Sequence, residues 1–117
     1  GVELVMELFL RLFATCNDYP ASEKLLELLS HEISVIAEST QLNLGRYWKT
    51  PEMYEFTFHL VPANIDLFNE IVNVSSDGWI HMVSGSEHSS VWNIADGKRL
   101  FVSEVQWAEL QLYEPYP

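Results

Sequence analysis

The first segment of the chain alternates between apolar and other side chains. Every even position of residues 2–12 is apolar, whereas Glu3, Glu7 and Arg11 lie on odd positions. An alternation with a period of two is typical of a half-buried β-strand, so we predict a strand over residues 2–13. The three charges are also spaced by four residues, which fits one face of a helix, and a helical interpretation stays open.

Two later segments show the apolar spacing of helices. The first has apolar residues at intervals of three and four: Leu25, Leu28, Leu29, Ile33 and Ile36. Because the turn-forming residues 17–20 precede it, we predict a helix over about residues 22–39. The second segment has the same kind of spacing in Ile65, Phe68, Ile71 and Val72. It follows Pro62 and Asn64 and predicts a shorter helix that ends near Val74.

The remaining segments predict β-strands joined by turns. Residues 46–49 predict a short strand, and the clear alternation of residues 54–60 predicts another. The two are separate strands because Thr50 and Pro51 interrupt the chain between them. The C-terminal third predicts an antiparallel meander with turns at residues 75–78 and at Asp96-Gly97. Its three strands are expected at residues 79–84, 89–95 and 105–112.

The predicted order of elements is β-α-β-β-α-β-β-β. Two amphipathic helices can cover one apolar face of a sheet, so we predict an α+β two-layer sandwich with both helices on one face of a mainly antiparallel sheet. The length of 117 residues and the lack of a linker or repeat predict a single domain over residues 1–117. The second sheet face should meet solvent or a partner. It is expected to carry residues such as Glu55, Thr57, His59, Gln106 or Glu109.

Composition argues against several classes of partner. Seventeen acidic and six basic residues give a formal charge of −11, which repels phosphate groups, so nucleic acid and anionic membranes are poor partners. The charge could serve solubility alone or select a basic partner, and both alternatives stay open. Cys16 is the only cysteine, so it cannot form an intrachain disulfide, and it lies in no recognised nucleophile signature. No segment approaches the roughly 18 apolar residues of a membrane span, so we expect a soluble cytoplasmic protein.

Few residues have the spacing of a known catalytic or metal-binding motif. His31-Glu32 is followed by Val35 where a zinc-protease motif needs its second histidine. His81 and His88, with Glu87 beside the latter, could approach one another across a hairpin and bind a metal, and ordinary surface histidines are the alternative. We therefore expect a protein that is not an enzyme and has no cofactor or metal site.

Aromatic and acidic residues are concentrated in the C-terminal third. Aromatic side chains supply large contact areas at interfaces, and carboxylates bind Lys and Arg of a basic protein through charge-assisted hydrogen bonds. Core packing is the alternative, and we expect it for most of the four tryptophans, Trp48, Trp79, Trp92 and Trp107. The predicted partner-binding residues are Glu87, Trp92, Asp96, Glu104, Glu109 and Tyr113.

Part of this region resembles a known family. The sequence Ser-Ser-Val-Trp-Asn at 89–93, Phe101, and Val-Gln-Trp-Ala-Glu-Leu at 105–110 are similar to the C-terminal region of small acidic immunity proteins encoded beside bacterial polymorphic and contact-dependent growth inhibition toxins. The resemblance implies a cytoplasmic, non-catalytic inhibitor that occludes one cognate toxin domain, often a basic nuclease. Two other classes remain as alternatives: a small-molecule-binding or enzymatic domain, and a homo-oligomeric interaction module.

Overall fold

Eight elements follow one another in the order that the sequence predicts. The computed structural model describes residues 5–95 and 98–115. The elements are β1 (Glu7–Thr15), α1 (Tyr19–Ser34), β2 (Glu38–Arg46), β3 (Met53–Val61), α2 (Ile65–Ser75), β4 (Ile80–Ser84), β5 (Glu87–Asn93) and β6 (Val105–Tyr113). The predicted α+β class is therefore confirmed. Neither helix in the described ranges has the length and apolarity that a membrane span requires.

The strands form one antiparallel sheet in the order β2-β3-β1-β6-β5-β4. β1 lies between β3 and β6, so that Leu10 is opposite Phe58 on one side and Leu110 on the other. A strand in this position forms main-chain hydrogen bonds with two neighbours, which outweighs the helix propensity of its Leu and Glu residues. The strand prediction for this segment is confirmed, but the predicted start is wrong: β1 begins at Glu7, the described residues 5 and 6 are not part of it, and residues 2–4 lie outside the described ranges.

Both helices begin at a side-chain cap. The Asp18 carboxylate accepts a hydrogen bond from the Ala21 amide at 2.8 Å, and the Asn64 side chain accepts one from the Leu67 amide at 2.9 Å. These caps satisfy amide groups that have no partner inside the helix, and Pro20 fits the first turn of α1 because it has no amide hydrogen to satisfy. The caps therefore fix where each helix starts.

One hydrophobic core lies between the helices and the sheet. The apolar sides of α1 and α2 belong to the same buried cluster as residues of β1, β3, β5 and β6. Its largest fully buried side chains include Trp92, Tyr54, Phe56, Phe58 and Phe68. Burial of this apolar area is the dominant favourable term in folding. Because both helices contribute to one cluster, they cover the same face of the sheet.

The predicted boundaries are most in error at the end of α1 and at β2, while α1 also starts at Tyr19 and not near residue 22, and β5 spans Glu87–Asn93 and not residues 89–95. α1 ends at Ser34 instead of continuing to Ser39, and β2 spans Glu38–Arg46 instead of residues 46–49. Most residues of β2 are exposed on both sides, so the strand has no apolar alternation that the sequence could reveal. Its position is fixed by pairing with β3 over the whole strand, including a bulge between Gln41 and Asn43. The predicted turn at Asp96-Gly97 lies outside the described residues.

The register settles which residues face away from the helices. Directly opposed residues of an antiparallel pair share a face, and the helices cover the side of Leu8, Leu10 and Leu12. We call the other side the open face. It carries four of the residues expected there, namely Glu55, Thr57, His59 and Glu109. The fifth, Gln106, lies at the irregularity that shifts the pairing of β1 with β6 between Phe13 and Ala14.

Candidate partner-binding surface

The open face bears two groups of aromatic side chains. In the first aromatic cluster, Phe13 lies between Tyr47 and Trp107, with ring centroids 4.7 and 5.2 Å apart. Edge-to-face contacts at such distances are favourable beyond the area that they bury. Trp48 follows Tyr47 in the β2–β3 connection, and it is 80% exposed. This cluster therefore presents one packed and one projecting tryptophan to solvent.

The second aromatic cluster lies farther along the same strands. Phe9 of β1 contacts His59 of β3 and Tyr113 of β6, with ring centroids 5.1 and 5.8 Å apart. All three side chains are half-buried because they cover one another, although no helix covers them. Side chains that are already packed in this way have lost much of their rotamer freedom, which reduces the entropy cost of binding a partner.

A charged row separates the two aromatic clusters. Thr57, Arg11 and Glu109 lie directly opposite one another on β3, β1 and β6. The Arg11 guanidinium donates a hydrogen bond to the Glu55 carboxylate, and its Cζ lies 5.0 Å from the Phe13 ring centroid. These contacts hold the cation in place beside the Glu55 carboxylate and over the Phe13 ring. The open face thus combines aromatic area with hydrogen-bonding groups of both charges.

The open face has shallow depressions. One of about 340 Å³ is lined by Arg11, Phe13, Tyr47, Met53 and Trp107. Another of about 320 Å³ is lined by Phe9, Arg11, Leu42, Glu55, Thr57, Glu109, Gln111 and Tyr113. Both are partly open to solvent, whereas sites for small molecules enclose most of the ligand surface. Their shape suits side chains that project from a protein partner.

The predicted partner-binding residues are divided among several places. Glu109 and Tyr113 lie on the open face, and Glu87 lines a depression together with Tyr113. Glu104 lies beyond the opposite end of the sheet, just before β6, where its carbonyl accepts a hydrogen bond from the Thr15 amide at 3.0 Å. Asp96 is outside the described residues. The structure therefore brings three of the predicted residues toward one surface.

Trp92 is a correction to the predicted set. Its side chain is 0% exposed in the core, and its indole nitrogen donates hydrogen bonds to the Ser76 hydroxyl and the Asp77 carbonyl. A fully buried side chain offers no area to a partner. The broader expectation that most of the four tryptophans are core residues holds for two of them: Trp92 is in the core and Trp79 packs against it, whereas Trp107 is half-buried on the open face and Trp48 is exposed.

Sequence reasoning missed Phe9, Phe13 and Tyr47. The sequence does contain a signal for two of them. The odd positions of the first strand, which carry the charged residues Glu7 and Arg11, also carry Phe9 and Phe13. Large apolar residues on both sides of a strand indicate either a second covering layer or an exposed binding face. Tyr47 had no comparable signal, since its contact with Phe13 depends on the hairpin between β2 and β3.

A depression at one end of the sheet contains Cys16. It measures about 360 Å³ and is lined by Thr15, Cys16, Asn17, Ala21, Leu25, Glu52 and Glu104. Burial raises the pKa of the Cys16 thiol, and the nearby carboxylates of Glu104 and Asp18 raise it further. The reactive thiolate is therefore disfavoured, and no histidine base is among these lining residues. The arrangement does not suit a cysteine nucleophile.

Comparison with protein-family models, with curated proteins and with solved structures gives no match to this chain.

Proposed function

We propose that the protein is a non-catalytic immunity protein that binds a cognate bacterial toxin domain, a basic nuclease, through the open face and thereby occludes it. The observation that supports this most is an uncovered sheet face with two packed aromatic clusters, Trp48 projecting beside it, and carboxylates between them. The resemblance of residues 89–93 and 105–110 to immunity proteins supports the biological role.

The aromatic clusters suit the centre of an interface. Tryptophan and tyrosine are enriched among the residues that contribute most to binding, because they bury a large area with few rotatable bonds. Trp48 can insert into a partner without any rearrangement of the core, since its side chain is 80% exposed. Tyr47 and Trp107, which are half-buried and cover the buried Phe13 ring, would then form the surface around it.

Charge favours a basic partner. The formal charge of −11 attracts a cationic protein over long range and raises the association rate, an effect that salt screens. At short range the carboxylates of Glu55 and Glu109 can bind Lys or Arg side chains with which a nuclease would hold phosphates. Inhibition of this kind is steric and electrostatic and involves no turnover.

Paired variants test the surface. The tagged chain serves as bait in lysate of its source organism, with washes at ~0.1 M and ~0.5 M salt, a range over which surface charge is progressively screened. Glu109→Lys is matched by Glu27→Lys on the exposed side of α1, because both change the net charge equally. Trp48→Ala is matched by Leu28→Ala, which also shortens an exposed apolar side chain. We expect the wild type and both α1 variants to retain one basic protein that both open-face variants lose.

The role as an inhibitor needs a growth assay. The captured protein, expressed in a bacterial host, should stop growth, and co-expression of the wild type or of Glu27→Lys should restore it. If Glu109→Lys and Trp48→Ala restore growth as efficiently as the wild type does, another surface of the protein binds the toxin. A captured protein that does not impair growth would contradict the immunity role and leave only a binding function.

Self-association is a second candidate, which the edge strand β4 favours. β4 has one neighbour in the sheet, contains no Asp, Glu, Lys or Arg, and exposes Ile80, Met82 and Val83. Natural edge strands are usually protected from pairing by charges, prolines or bulges. The other edge strand, β2, has charged residues and a bulge, whereas β4 has no such charges. Sedimentation velocity over a concentration series should then detect a dimer that Met82→Lys dissociates. A monomer at every concentration would exclude this candidate.

A further inference from the structure

The hairpin of β4 and β5 brings two histidines together. In its register His81 is opposite Ser90 and His88 is opposite Val83, so the two imidazoles are diagonal neighbours on the face that the helices cover. They lie at the margin of the core, where the Phe68 ring of α2 contacts both, with centroids 5.0 and 5.7 Å away. His81 is exposed and His88 is half-buried, so solvent reaches the pair.

The separation of the two ring nitrogens fits two ligands of one metal ion. Nε2 of His81 and Nδ1 of His88 are 3.1 Å apart and share a hydrogen bond, so a metal ion can bind both only when the bridging proton moves to the other nitrogen of its own imidazole. Metal–imidazole bonds of about 2.0–2.1 Å place two adjacent ligand nitrogens about 2.9–3.4 Å apart for bond angles between square-planar and tetrahedral values. We propose that His81 and His88 form a binding site for a divalent transition-metal ion of the Cu²⁺, Ni²⁺ and Zn²⁺ class.

The chemistry of the pair defines the kind of site. Imidazole nitrogens suit Cu²⁺, Ni²⁺ and Zn²⁺, and among these Cu²⁺ binds most tightly to a given set of ligands. In the ranges that the structure describes, no group of three or more His, Cys, Asp or Glu residues is placed to hold a metal. Water therefore completes the coordination sphere, which the exposure of His81 allows. The formal charge of −11 increases the local concentration of cations.

Ser90 adds an independent observation. Its side chain is 0% exposed, and in the described part of the chain its hydroxyl has no hydrogen-bond partner. Buried polar groups are nearly always satisfied, so an unsatisfied hydroxyl requires an explanation. Ser90 is opposite His81 and two residues after His88 on the same face of β5. It is therefore adjacent to both rings, and its unused hydroxyl is available for an outer-shell hydrogen bond of the kind that orients ligating imidazoles.

The metal site and the proposed toxin-binding surface are separate. The two histidines lie on the covered face, whereas the aromatic clusters lie on the open face. Glu87 takes no part in the site because it precedes His88 on the strand, where successive side chains point to opposite faces. The two sites adjoin at one end of the sheet, where His88 lines a depression together with Glu87 and Tyr113, but the ligand nitrogens and the aromatic clusters lie on opposite faces.

Metal titration of the full chain tests the site. Isothermal titration with Cu²⁺, Ni²⁺ and Zn²⁺ is carried out on the wild type and on His81→Gln and His88→Gln. The matched controls are His31→Gln, at an exposed position of α1, and His59→Gln, on the open face. We expect one ion per chain for the wild type and both controls. Because even outer-shell partners are worth about 10- to 100-fold in metal affinity, loss of either ligand should weaken binding at least about tenfold.

Two further readouts make the result specific. Binding to the folded chain alone should raise the melting temperature of the wild type and the controls, and this increase should be absent in His81→Gln and His88→Gln. Circular dichroism of each variant without metal establishes that it is folded. Failure of all three ions to bind with one-to-one stoichiometry would overturn the proposal. So would equal affinity in the His81 and His88 variants, which would place the ion at other groups.

Discussion

The two faces of the sheet consist of alternate residues of the same strands, yet they differ in chemistry. On β1, Leu8, Leu10 and Leu12 face the helices and are at most 1% exposed. Phe9 and Arg11 point the other way and are half-buried by their neighbours on β3 and β6. The comparison shows that apolar content alone does not define a core. The covered face is buried by a second layer of the fold, whereas the deeply buried Phe13 of the open face, at 4% exposure, is covered by its neighbours Tyr47 and Trp107.

The two faces also have different kinds of packing. Side chains of the covered face interlock with those of α1 and α2, so deletion of one leaves a cavity. Side chains of the open face contact one another laterally, as in the stack of Phe9 on Tyr113 and the cation of Arg11 over Phe13. The covered face therefore supplies stability, and the open face supplies an ordered surface.

The largest expected difference in stability between the two faces is that between alanine variants of Trp92 and Trp107, which lie on adjacent strands. Trp92→Ala removes a fully buried side chain and two hydrogen bonds, so we expect the free energy of unfolding to fall by about 3–5 kcal/mol. Trp107→Ala removes a half-buried side chain that the surrounding aromatic residues can partly replace. It should lower the free energy of unfolding by about 1–2 kcal/mol. Urea denaturation followed by circular dichroism measures both values.

A smaller truncation allows the same comparison of stabilities if the alanine variant of Trp92 is unfolded. If Trp92→Ala does not fold, Trp92→Phe and Trp107→Phe give the same contrast with smaller cavities. Equal costs at the two positions would contradict the distinction between the faces, because they would mean that the open face contributes to stability as the core does.

The ion pair of the open face should have a much smaller effect. Arg11 and Glu55 have side chains that are 42% and 20% exposed, so water weakens their attraction. A double-mutant cycle with Arg11→Met and Glu55→Gln should give a coupling free energy of about 0.2–1 kcal/mol. The same cycle in 1 M salt should give a smaller value, since the Debye length there is about 3 Å. A coupling above this range that is insensitive to salt would indicate that the pair is structural.

Much of the fold could be predicted from local patterns. The alternation of β3 and the apolar stripe of α2 identified those elements, because each has one buried side and a regular period. The same reasoning failed for β2 and for the end of α1. Ile36 continues the helical stripe but lies beyond Ser34, and β2 has too little burial to impose a period.

The candidate surface was harder to predict than the fold. Glu109 and Tyr113 were found because the C-terminal third is rich in acidic and aromatic residues. Phe9 and Phe13 are about 100 residues away in the sequence and meet β6 only through the pairing of β1. Composition within a window cannot reveal a contact that long-range strand order creates.

The sequence by itself determined the order of the elements and the two-layer class, because hydrophobic period and turn chemistry are local properties. Tertiary structure alone decided which parity of β1 the helices cover and which tryptophan is buried. Trp92 and Trp107 are the same residue on neighbouring strands, but Trp92 is opposite Ala108 on the covered face and Trp107 is opposite Phe13 on the open face. Register and the position of the helices, which arise only when distant segments pair, gave the two residues different roles.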